Sequence, residues 1–310
     1  MSIRIANAPC SWGALEFEGM ASEPVPYERM LDELRDTGYT GTDLGDWGYM
    51  PTDPAELRAA LDSRGLTMVG AFVAVNLRDP GCHEPGEEQA VRVARLIAEV
   101  SDPVASPRPW LILADDNGTD PMRTRDAGRI TADMGLSDAE WQTFAGGAER
   151  IARAVREQTG LETLFHPHAA GFVETPDEIA RFLDLTDADL IGLVFDTGHY
   201  LFGTGAATTA SANDGLDRFA GRIRHIHLKD CDPAIASRAR EQGWDYFDAV
   251  RHGVFSELGQ GGVDFRQVLD WLDRHEYDGW AVVEQDILPG LGTPRESAQR
   301  NREFLRELGL

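Results

Sequence analysis

The amino-acid sequence predicts an α/β protein folded as a (β/α)8 barrel. Three observations lead to this fold class: short apolar runs alternate with amphipathic segments of helix length, about eight such pairs fit into 310 residues, and no shift in composition marks a linker. Alternating strands and helices are typical of a parallel sheet, and eight units in a chain of this length match a closed barrel. We therefore expect residues 1–310 to form one barrel domain.

An open, doubly wound sheet is the alternative for the same alternation. Such sheets usually carry a GxGxxG motif directly after the first strand, and the residues that follow the first apolar run lack it. The closed barrel is therefore favoured.

The predicted strands are apolar runs bounded by turn residues. They cover residues 3–7, 39–45, 66–73, 109–115, 161–168, 189–196, 222–230 and 279–286. Helical patterns follow near residues 27–36, from Asp53-Pro54, near 86–101, near 137–158, from Thr175-Pro176 and near 294–308. Asp53 before Pro54 is an N-cap signal, and Glu178 stands at capping-box spacing from Thr175. The polar segments 74–90, 115–136 and 230–262 are predicted to be long loops, the last with room for a short helix.

Charge and cysteine content limit the partners and the compartment. The formal net charge of −24 disfavours binding to nucleic acid or to an anionic membrane, because both require Lys and Arg. The three cysteines have no CxxC spacing, which argues against a disulfide framework and for a reducing compartment. The N-terminus enters a strand without a signal-like segment, and no apolar run is long enough for a membrane span. We expect a cytoplasmic protein.

Polar side chains end most of the predicted strands, at the edge where barrels of this kind have their active sites. They are Asn7, Asp43, Asp115, Asp116, Asn117, His166, His168, Asp196, His199, His225, His227, Lys229, Asp230, Glu284, Gln285 and Asp286. Four consecutive strands of the second half each end in such groups, which are costly to bury without partners. Two neutral imidazoles and two carboxylates suit Mn²⁺, Co²⁺, Fe²⁺ or Zn²⁺. The predicted ligands of one metal ion are His166, Asp196, His227 and Glu284.

Other residues near the strand ends have two interpretations each. Side chains alternate along a strand, so His225 shares a face with His227 but lies deeper, as a core residue or a site residue. Lys229 shares that face too, and either reaches the pocket to contact substrate or is solvated. Trp12 and Trp244 either stack on the apolar face of a sugar or pack in the core.

Several segments resemble the xylose-isomerase-like superfamily of sugar isomerases and epimerases, and within it the inosose dehydratases of inositol catabolism. The segments are FHPHAAGFVETPDEI at 165–179, VFDTGHY at 194–200, HIHLKD at 225–230, FDAVRHGVFSELGQGGVDF at 247–265 and VVEQD at 282–286. The similarity covers roughly residues 160–290 well, and 25–75 as a coarse pattern. It implies a TIM barrel that uses a divalent metal, Mn²⁺ or Co²⁺ before Mg²⁺, Fe²⁺ or Zn²⁺, on polyol ketones or ketose sugars.

The resemblance also implies roles for single residues. The strand 6 Asp, strand 7 His and strand 8 Glu of the superfamily match Asp196, His227 and Glu284. The strand 5 ligand, usually Glu in the isomerases and epimerases, is His166 here.

Two further histidines match substrate-contacting positions of the family. His168 corresponds to the one after strand 5, and His199 to the one after strand 6. Both therefore count as predicted substrate and catalytic residues, with Glu284 as the third catalytic candidate.

The residues permit more than one reaction. A metal that binds a ketone and the neighbouring hydroxyl acidifies the adjacent C–H and leads to a metal-stabilised enediolate, from which epimerisation, isomerisation or loss of a β-hydroxyl can follow. Epimerases of the superfamily resemble one another in pairing two glutamates across the ring, and His166 breaks that pair. An imidazolium at His168 or His199 would donate a proton well to a departing hydroxyl. The leading prediction is a metal-dependent lyase resembling inosose dehydratase; the alternative is a sugar or inosose isomerase or epimerase with the same metal site.

Two other classes of protein are weighed against these. A metal-assisted hydrolase resembling an endonuclease would need more histidines and carboxylates on strands 2 to 5, and the charge of −24 repels nucleic acid. A non-catalytic sugar-binding barrel would not need four aligned metal-ligand types. The expected partner is a small, unphosphorylated polyol or sugar, and a homo-oligomer is compatible with the resemblance.

Overall fold

A computed structural model shows a closed barrel of eight parallel strands that follow one another in chain order. It describes residues 3–13, 25–102, 104, 107–205, 211–286 and 292–310. The strands are β1 (Arg4–Asn7), β2 (Gly41–Asp43), β3 (Thr67–Val75), β4 (Trp110–Asp115), β5 (Thr163–Phe165), β6 (Ile191–Asp196), β7 (Ile223–Leu228) and β8 (Trp280–Val283). β1 pairs with both β2 and β8, which closes the barrel and confirms the predicted fold class.

Helices alternate with the strands around the barrel. They are α1 (Tyr27–Thr37), α2 (Pro54–Asp62), α3 (His83–Val100), α4 (Pro121–Asp126), α5 (Asp138–Thr159), α6 (Pro176–Leu185), α7 (Thr197–Gly203), α8 (Ala212–Phe219), α9 (Pro233–Gln242), α10 (Tyr246–Arg251), α11 (Phe265–Arg274) and α12 (Pro294–Glu307). Short 3₁₀ turns occur at Pro9–Trp12, Pro80–Cys82 and Ala132–Met134. None of the helices in the described ranges has the length and hydropathy that crossing a membrane would need.

The predicted helix starts are present as capping geometry. The Asp53 side chain accepts hydrogen bonds from two backbone N–H groups at the start of α2. Thr175 and Glu178 form the reciprocal capping box at the start of α6. A side-chain oxygen satisfies backbone donors that the first turn of a helix leaves unpaired, so these residues end the preceding loops at defined positions.

The segments predicted to be long loops contain more structure than expected. Helix α3 already begins at His83, within segment 74–90, and segment 115–136 contains α4. Segment 230–262 contains both α9 and α10. α4 is held by Arg123, which is fully buried and donates to both carboxylate oxygens of Glu178 at 2.8 and 2.9 Å. Such tertiary contacts stabilise short helices that have little periodicity of their own.

The strands are shorter than predicted at the end that matters for function. β5 ends at Phe165 rather than at residue 168, and β8 ends at Val283 rather than at 286. His166 and Glu284 therefore lie one residue past their strands, at the C-terminal mouth of the barrel. That mouth is where active sites of this fold are built.

Candidate metal centre and active site

Four side chains from consecutive strand ends meet at the mouth of the barrel. They are His166, Asp196, His227 and Glu284, and each offers one ligand atom within 4.8 Å of the others. The first three side chains are at most 2 % exposed, and that of Glu284 is 16 % exposed. The convergence expected from the sequence is thus present in the fold.

Asp196 stands at the centre of this cluster. It ends β6 and is the N-cap of α7, because its Oδ1 accepts a 2.7 Å hydrogen bond from the backbone N–H of His199. That bond turns Oδ2 towards the cluster, 3.7 Å from Nε2 of His166 and 3.9 Å from Nδ1 of His227. The strand register also brings Asp196 and His227 together, because Asp196 on β6 is paired with His227 on β7.

His227 and Glu284 form the closest pair of the cluster. His227 Nδ1 lies 3.1 Å from Glu284 Oε1. Burial alone would lower the pKa of His227, but the Glu284 carboxylate raises it. Burial alone would raise the pKa of Glu284, but His227 and Lys229 hold it well below its ordinary value. Glu284 is therefore an anion at neutral pH, as a ligand must be.

The cluster fits a divalent cation in the donors it offers. Both ring nitrogens of His166 and His227, and Oδ2 of Asp196, are buried without a hydrogen-bond partner among the described residues. An unpaired buried polar atom costs about 1–3 kcal/mol. One divalent ion held through a single nitrogen of each ring and through Oδ2 would satisfy three of these five atoms. Nitrogen and oxygen donors about 2.0–2.2 Å from one ion lie roughly 3 to 4.4 Å from each other. The pairs at 3.1, 3.7 and 3.9 Å fall within this range.

His168 and His199 form a second pair above the cluster. Their rings lie 3.8 Å apart between centroids, and the ring of His168 is 5.8 Å from that of His166. The Nδ1–H of His168 donates to the carbonyl of Ala169 at 2.7 Å, so its Nε2 carries the lone pair. His199 receives the backbone N–H of Ala169 on Nδ1 and faces Lys229 Nζ with Nε2, both at 3.4 Å. A neutral imidazole has one such lone pair, so only one of these contacts is a full hydrogen bond.

The charge state of this pair differs from the expected imidazolium. Burial lowers the pKa of His168 to about 3, and His166 and Lys229 act in the same direction. Burial, with His168 next, also lowers the pKa of His199 well below its ordinary value. Both rings are neutral at physiological pH, so the ready proton donor expected from the sequence is absent from this pair.

The loop after β5 positions His168 through a strained turn. Ala170 has a φ of 65°, a left-handed conformation that costs a residue with a β-carbon about 1 kcal/mol or more. The Glu174 carboxylate holds this turn, because it accepts the N–H of Ala170 and of Gly128, each at 2.7 Å. Glu174 is therefore a buried anchor of the loop rather than only a charge at a helix start.

Lys229 is the cation of the cavity. Its ammonium lies 3.4 Å from Glu284 Oε2, 3.6 Å from Asp286 Oδ2 and 4.8 Å from the centre of the Phe255 ring. Burial alone would lower the pKa of Lys229, but Asp286 and Glu284 raise it well above its ordinary value. Lys229 is thus a buried ammonium that lines the cavity. Of the two interpretations from the sequence, a lysine in the pocket or a solvated lysine, the structure agrees with the first.

One cavity contains the exposed faces of most of these groups. It is lined by Ala8, Pro9, Cys10, Asp43, Gly45, Phe72, Ile112, His166, His168, His227, Lys229, Tyr246, Glu284 and Asp286. His199 packs behind His168 and is not part of the lining. His225 is fully buried beneath His227, with ring centroids 5.3 Å apart, and also stays outside the cavity.

The structure corrects the prediction that Trp12 contacts substrate. Its side chain has no exposed surface, belongs to the main hydrophobic core and donates its indole N–H to Glu33 at 2.8 Å. Trp12 is therefore a core residue that carries its own polar partner. Trp244 stacks on His252 at 3.8 Å and also lies outside the lining of the cavity.

Sequence reasoning assigned no role to three ionisable residues of the cavity wall. Asp43 and Asp286 were visible as strand-end carboxyls, but nothing in the sequence distinguished them from solvated charges. Tyr246 begins α10, in a segment predicted to be mostly loop, and no sequence signal places it at the site. Burial and Asp286 raise its pKa well above the ordinary value, so it is a neutral phenol beside Lys229.

Comparison with known proteins agrees with the barrel fold. Residues 31–308 match the model of the xylose isomerase-like TIM barrel. The chain is 30% identical over 308 residues to an inosose dehydratase of Geobacillus kaustophilus, which covers 98% of this chain and 94% of the relative. It is also 30% identical over 308 residues to an inosose dehydratase of Klebsiella pneumoniae, with 99% and 97% covered.

Solved structures with the same fold include a dehydratase and an epimerase. The probable 3-DHS dehydratase AsbF of Bacillus anthracis superimposes with a TM-score of 0.68 at 13% identity, over 98% of this chain and 99% of that one. D-psicose 3-epimerase of Clostridium cellulolyticum, solved with D-tagatose, gives 0.65 at 13% identity, with 99% of each chain covered. With the eight-stranded barrel and the matched family model, the chain belongs to the xylose isomerase-like TIM barrel family.

Proposed function

We propose that this protein is a divalent-metal-dependent lyase that dehydrates a polyol ketone of the inosose class. The observation that carries the proposal is the buried cluster of two imidazoles and two carboxylates at the barrel mouth. The chain that holds this cluster is 30% identical to two inosose dehydratases over nearly its whole length. The ion would be held by His166, Asp196, His227 and Glu284. Mn²⁺ or Co²⁺ suits this mixed nitrogen and oxygen set.

When bound, the metal supplies a Lewis acid that polarises the ketone and makes the neighbouring C–H acidic. The residues of the chain do the rest of the work. Lys229 offers N–H donors to the hydroxyl oxygens of a polyol. Its raised pKa keeps it protonated, so it need not take up a proton first. His168 presents the lone pair of Nε2 as a hydrogen-bond acceptor, because its Nδ1–H is already committed to Ala169.

His166 supports dehydration over epimerisation. A pair of carboxylates on either side of the substrate can deprotonate and reprotonate one carbon from opposite faces, and both can act as acid and base. An imidazole whose lone pair is given to a metal cannot take up a proton, so the β5 side of this site lacks the second member of such a pair.

The test is direct assay of the metal-loaded protein with scyllo-inosose. We expect formation of a dione, followed by its ultraviolet absorbance, and loss of activity in a chelator with recovery on Mn²⁺ or Co²⁺. Recovery of an isomeric ketone without dione would instead assign the protein to isomerases or epimerases.

The matched variant is Asp196→Ala. We expect it to lose both bound metal and turnover while circular dichroism shows the same fold, because the N-cap bond to His199 stabilises only one short helix. Retention of metal in this variant would contradict the assigned ligand set. Asp189→Ala, an exposed residue in the turn before β6, is the control for expression and purity.

A further inference from the structure

The cavity has two unlike walls. The metal cluster, His168 and Lys229 all come from strands β5 to β8. The wall from β1 to β4 consists of Ala8, Pro9, Cys10, Asp43, Gly45, Phe72 and Ile112. Among the described residues of that second wall, Asp43 is the one carboxyl group. A ligand held by the metal cluster therefore has Asp43 on its other side.

The position of Asp43 follows from the strand order. In a closed barrel of eight strands in chain order, β2 is four strands from β6 in either direction. Asp43 ends β2, as Asp196 ends β6, so the two carboxyls face each other across the mouth. Asp43 lines the cavity, and His166, His227 and Glu284 of the cluster line it from β5, β7 and β8.

The Asp43 side chain is built into the wall without a structural partner. It is 6% exposed, and its Oδ1 is buried with no hydrogen bond to any described residue. Space for it comes from the neighbouring strand, where Gly70 pairs with Asp43 and a β-carbon at Gly70 would lie 3.1 Å from Oδ1. A buried carboxyl without a partner costs stability, and such costs are typical of groups kept for function.

The electrostatics of the cavity agree with a proton-transfer role. Burial raises the pKa of the Asp43 carboxyl to about 7; His227 lowers it and Glu284 raises it further. A general base works best when its pKa lies near the operating pH. His166 and His227 in the opposite wall would hold the metal ion through their lone pairs, so neither ring would be free to take up a proton there.

We propose that Asp43 is the general base of the reaction, taking the proton from the carbon next to the ketone on the face of the substrate turned away from the metal cluster. The inference rests on the proposed function. In the step, the C–H bond breaks and an O–H bond forms on Asp43, while the electron pair moves into the carbonyl system. When the C–O bond of the β-hydroxyl breaks, a proton returned by Asp43, directly or through water, completes one water molecule and restores the carboxylate.

The experiment measures proton abstraction apart from its outcome. scyllo-Inosose labelled with tritium at the carbons next to the ketone is incubated with Mn²⁺-loaded protein, and tritium released into water is counted. Release is expected whether the product is a dione or an isomeric ketone, because both begin with loss of this proton. Asp43→Asn should lower the release rate roughly 10²–10⁴-fold, the usual contribution of a general base.

Three controls separate chemistry from structure. Asp43→Asn should keep the wild-type Mn²⁺ stoichiometry, inosose affinity and melting temperature, since the carboxamide has the same shape. Asp43→Glu should restore part of the release. Asp115→Asn, a buried carboxyl at the end of β4 that accepts the N–H of Phe172 and lies outside the cavity lining, should release tritium at close to the wild-type rate.

The outcomes distinguish the two proposals. Wild-type release that Asp43→Asn leaves unchanged overturns the role of Asp43 and leaves the proposed function standing. If Asp43→Asn loses release together with Mn²⁺ or inosose binding, the role of Asp43 as general base is also overturned, because Asp43 would then be a structural residue. No release by the wild type overturns the proposed function itself.

Discussion

At the scale of single residues, the site is defined by charge compensation in a buried space. Lys229 lies within 3.4 and 3.6 Å of two carboxylates, Glu284 and Asp286. Burial, opposed by Lys229, raises the pKa of Asp286. The lysine thus lowers the negative potential that a cation would meet at the cluster.

Lys229→Met should therefore separate metal binding from catalysis. Removal of a positive charge next to Glu284 should lower the Kd for Mn²⁺ by about tenfold, since charges a few ångströms apart interact by more than about 1.4 kcal/mol in a protein environment. Turnover of inosose should fall at the same time. Isothermal titration and the dione assay measure the two effects; Lys229→Arg, which keeps the charge, is the control for Mn²⁺ affinity. Weaker Mn²⁺ binding by the Met variant would contradict this account.

Glu174 should make stability depend on pH. Burial, opposed by Arg123 and two backbone N–H groups, raises its pKa from 4.5 to about 7. The folded state therefore binds more protons than the unfolded state between these values, so the free energy of unfolding falls as pH rises from about 4.5 to 7. Urea unfolding at pH 5 and pH 7.5 should show a larger loss for the wild type than for Glu174→Gln, which cannot ionise. Equal losses in both proteins would refute the assignment.

At the scale of elements, Asp230 organises the connection from β7 to α11. Its Oδ1 accepts the N–H groups of Cys231 and Val263 at 2.9 and 3.0 Å. Its Oδ2 accepts those of Gly259 and Gly261, both at 2.9 Å. One buried carboxylate therefore closes a segment of about thirty residues that contains Tyr246 of the cavity wall. The Gly-rich stretch at residues 259–262 is the part that wraps around this carboxylate.

Asp230→Asn should destabilise the protein by about 2–4 kcal/mol, because a carboxamide nitrogen would face N–H donors that lose their acceptor. Urea unfolding monitored by tryptophan fluorescence measures this effect. The matched control is Asp232→Asn, two residues on: Asp232 is the N-cap of α9, and Asn caps helices about as well as Asp. A similar small effect in both variants would contradict the organising role of Asp230.

At the scale of the whole molecule, the net charge of −24 is a source of self-repulsion in the folded chain. Acidic and basic residues form surface ion pairs such as Arg150–Glu87, but acidic residues outnumber basic ones by 53 to 29. The excess acidic residues are therefore without a basic partner in number, and they repel one another. Salt therefore acts mainly by screening repulsion rather than by weakening attractive pairs.

The melting temperature should accordingly rise by a few degrees as NaCl increases from about 0.01 to 0.15 M, where the Debye length falls from about 30 to 8 Å. Calorimetry or fluorescence in a chelating buffer measures this effect without metal binding.

In a separate measurement without chelator, Mn²⁺ added at constant ionic strength should raise the melting temperature of the wild type but not that of Asp196→Ala. A melting temperature that falls with NaCl would mean that attractive ion pairs dominate.

The sequence by itself determined the fold class and the residues that meet at the cation cluster. Both depend on local patterns: the alternation of strand and helix periods, and ligand-type residues at four successive strand ends. Parallel strands bring their carboxyl ends to one edge, so the order along the chain is enough to predict that His166, Asp196, His227 and Glu284 converge. Helix starts at Thr175 and Asp53 were predictable for the same reason, because caps act within a few residues.

Only the tertiary structure decided what depends on contacts between distant segments. Burial, together with the neighbouring His166 and Lys229, lowers the pKa of His168 and makes it neutral, whereas its ordinary pKa allowed an imidazolium. Core packing keeps Trp12 out of the cavity lining, although its place after β1 allowed a contact with a ligand. Asp43 acquires its position opposite Asp196 only when β1 pairs with β8 and closes the barrel. A side chain's pKa and access to a cavity depend on everything that surrounds it, and no period in the sequence records that.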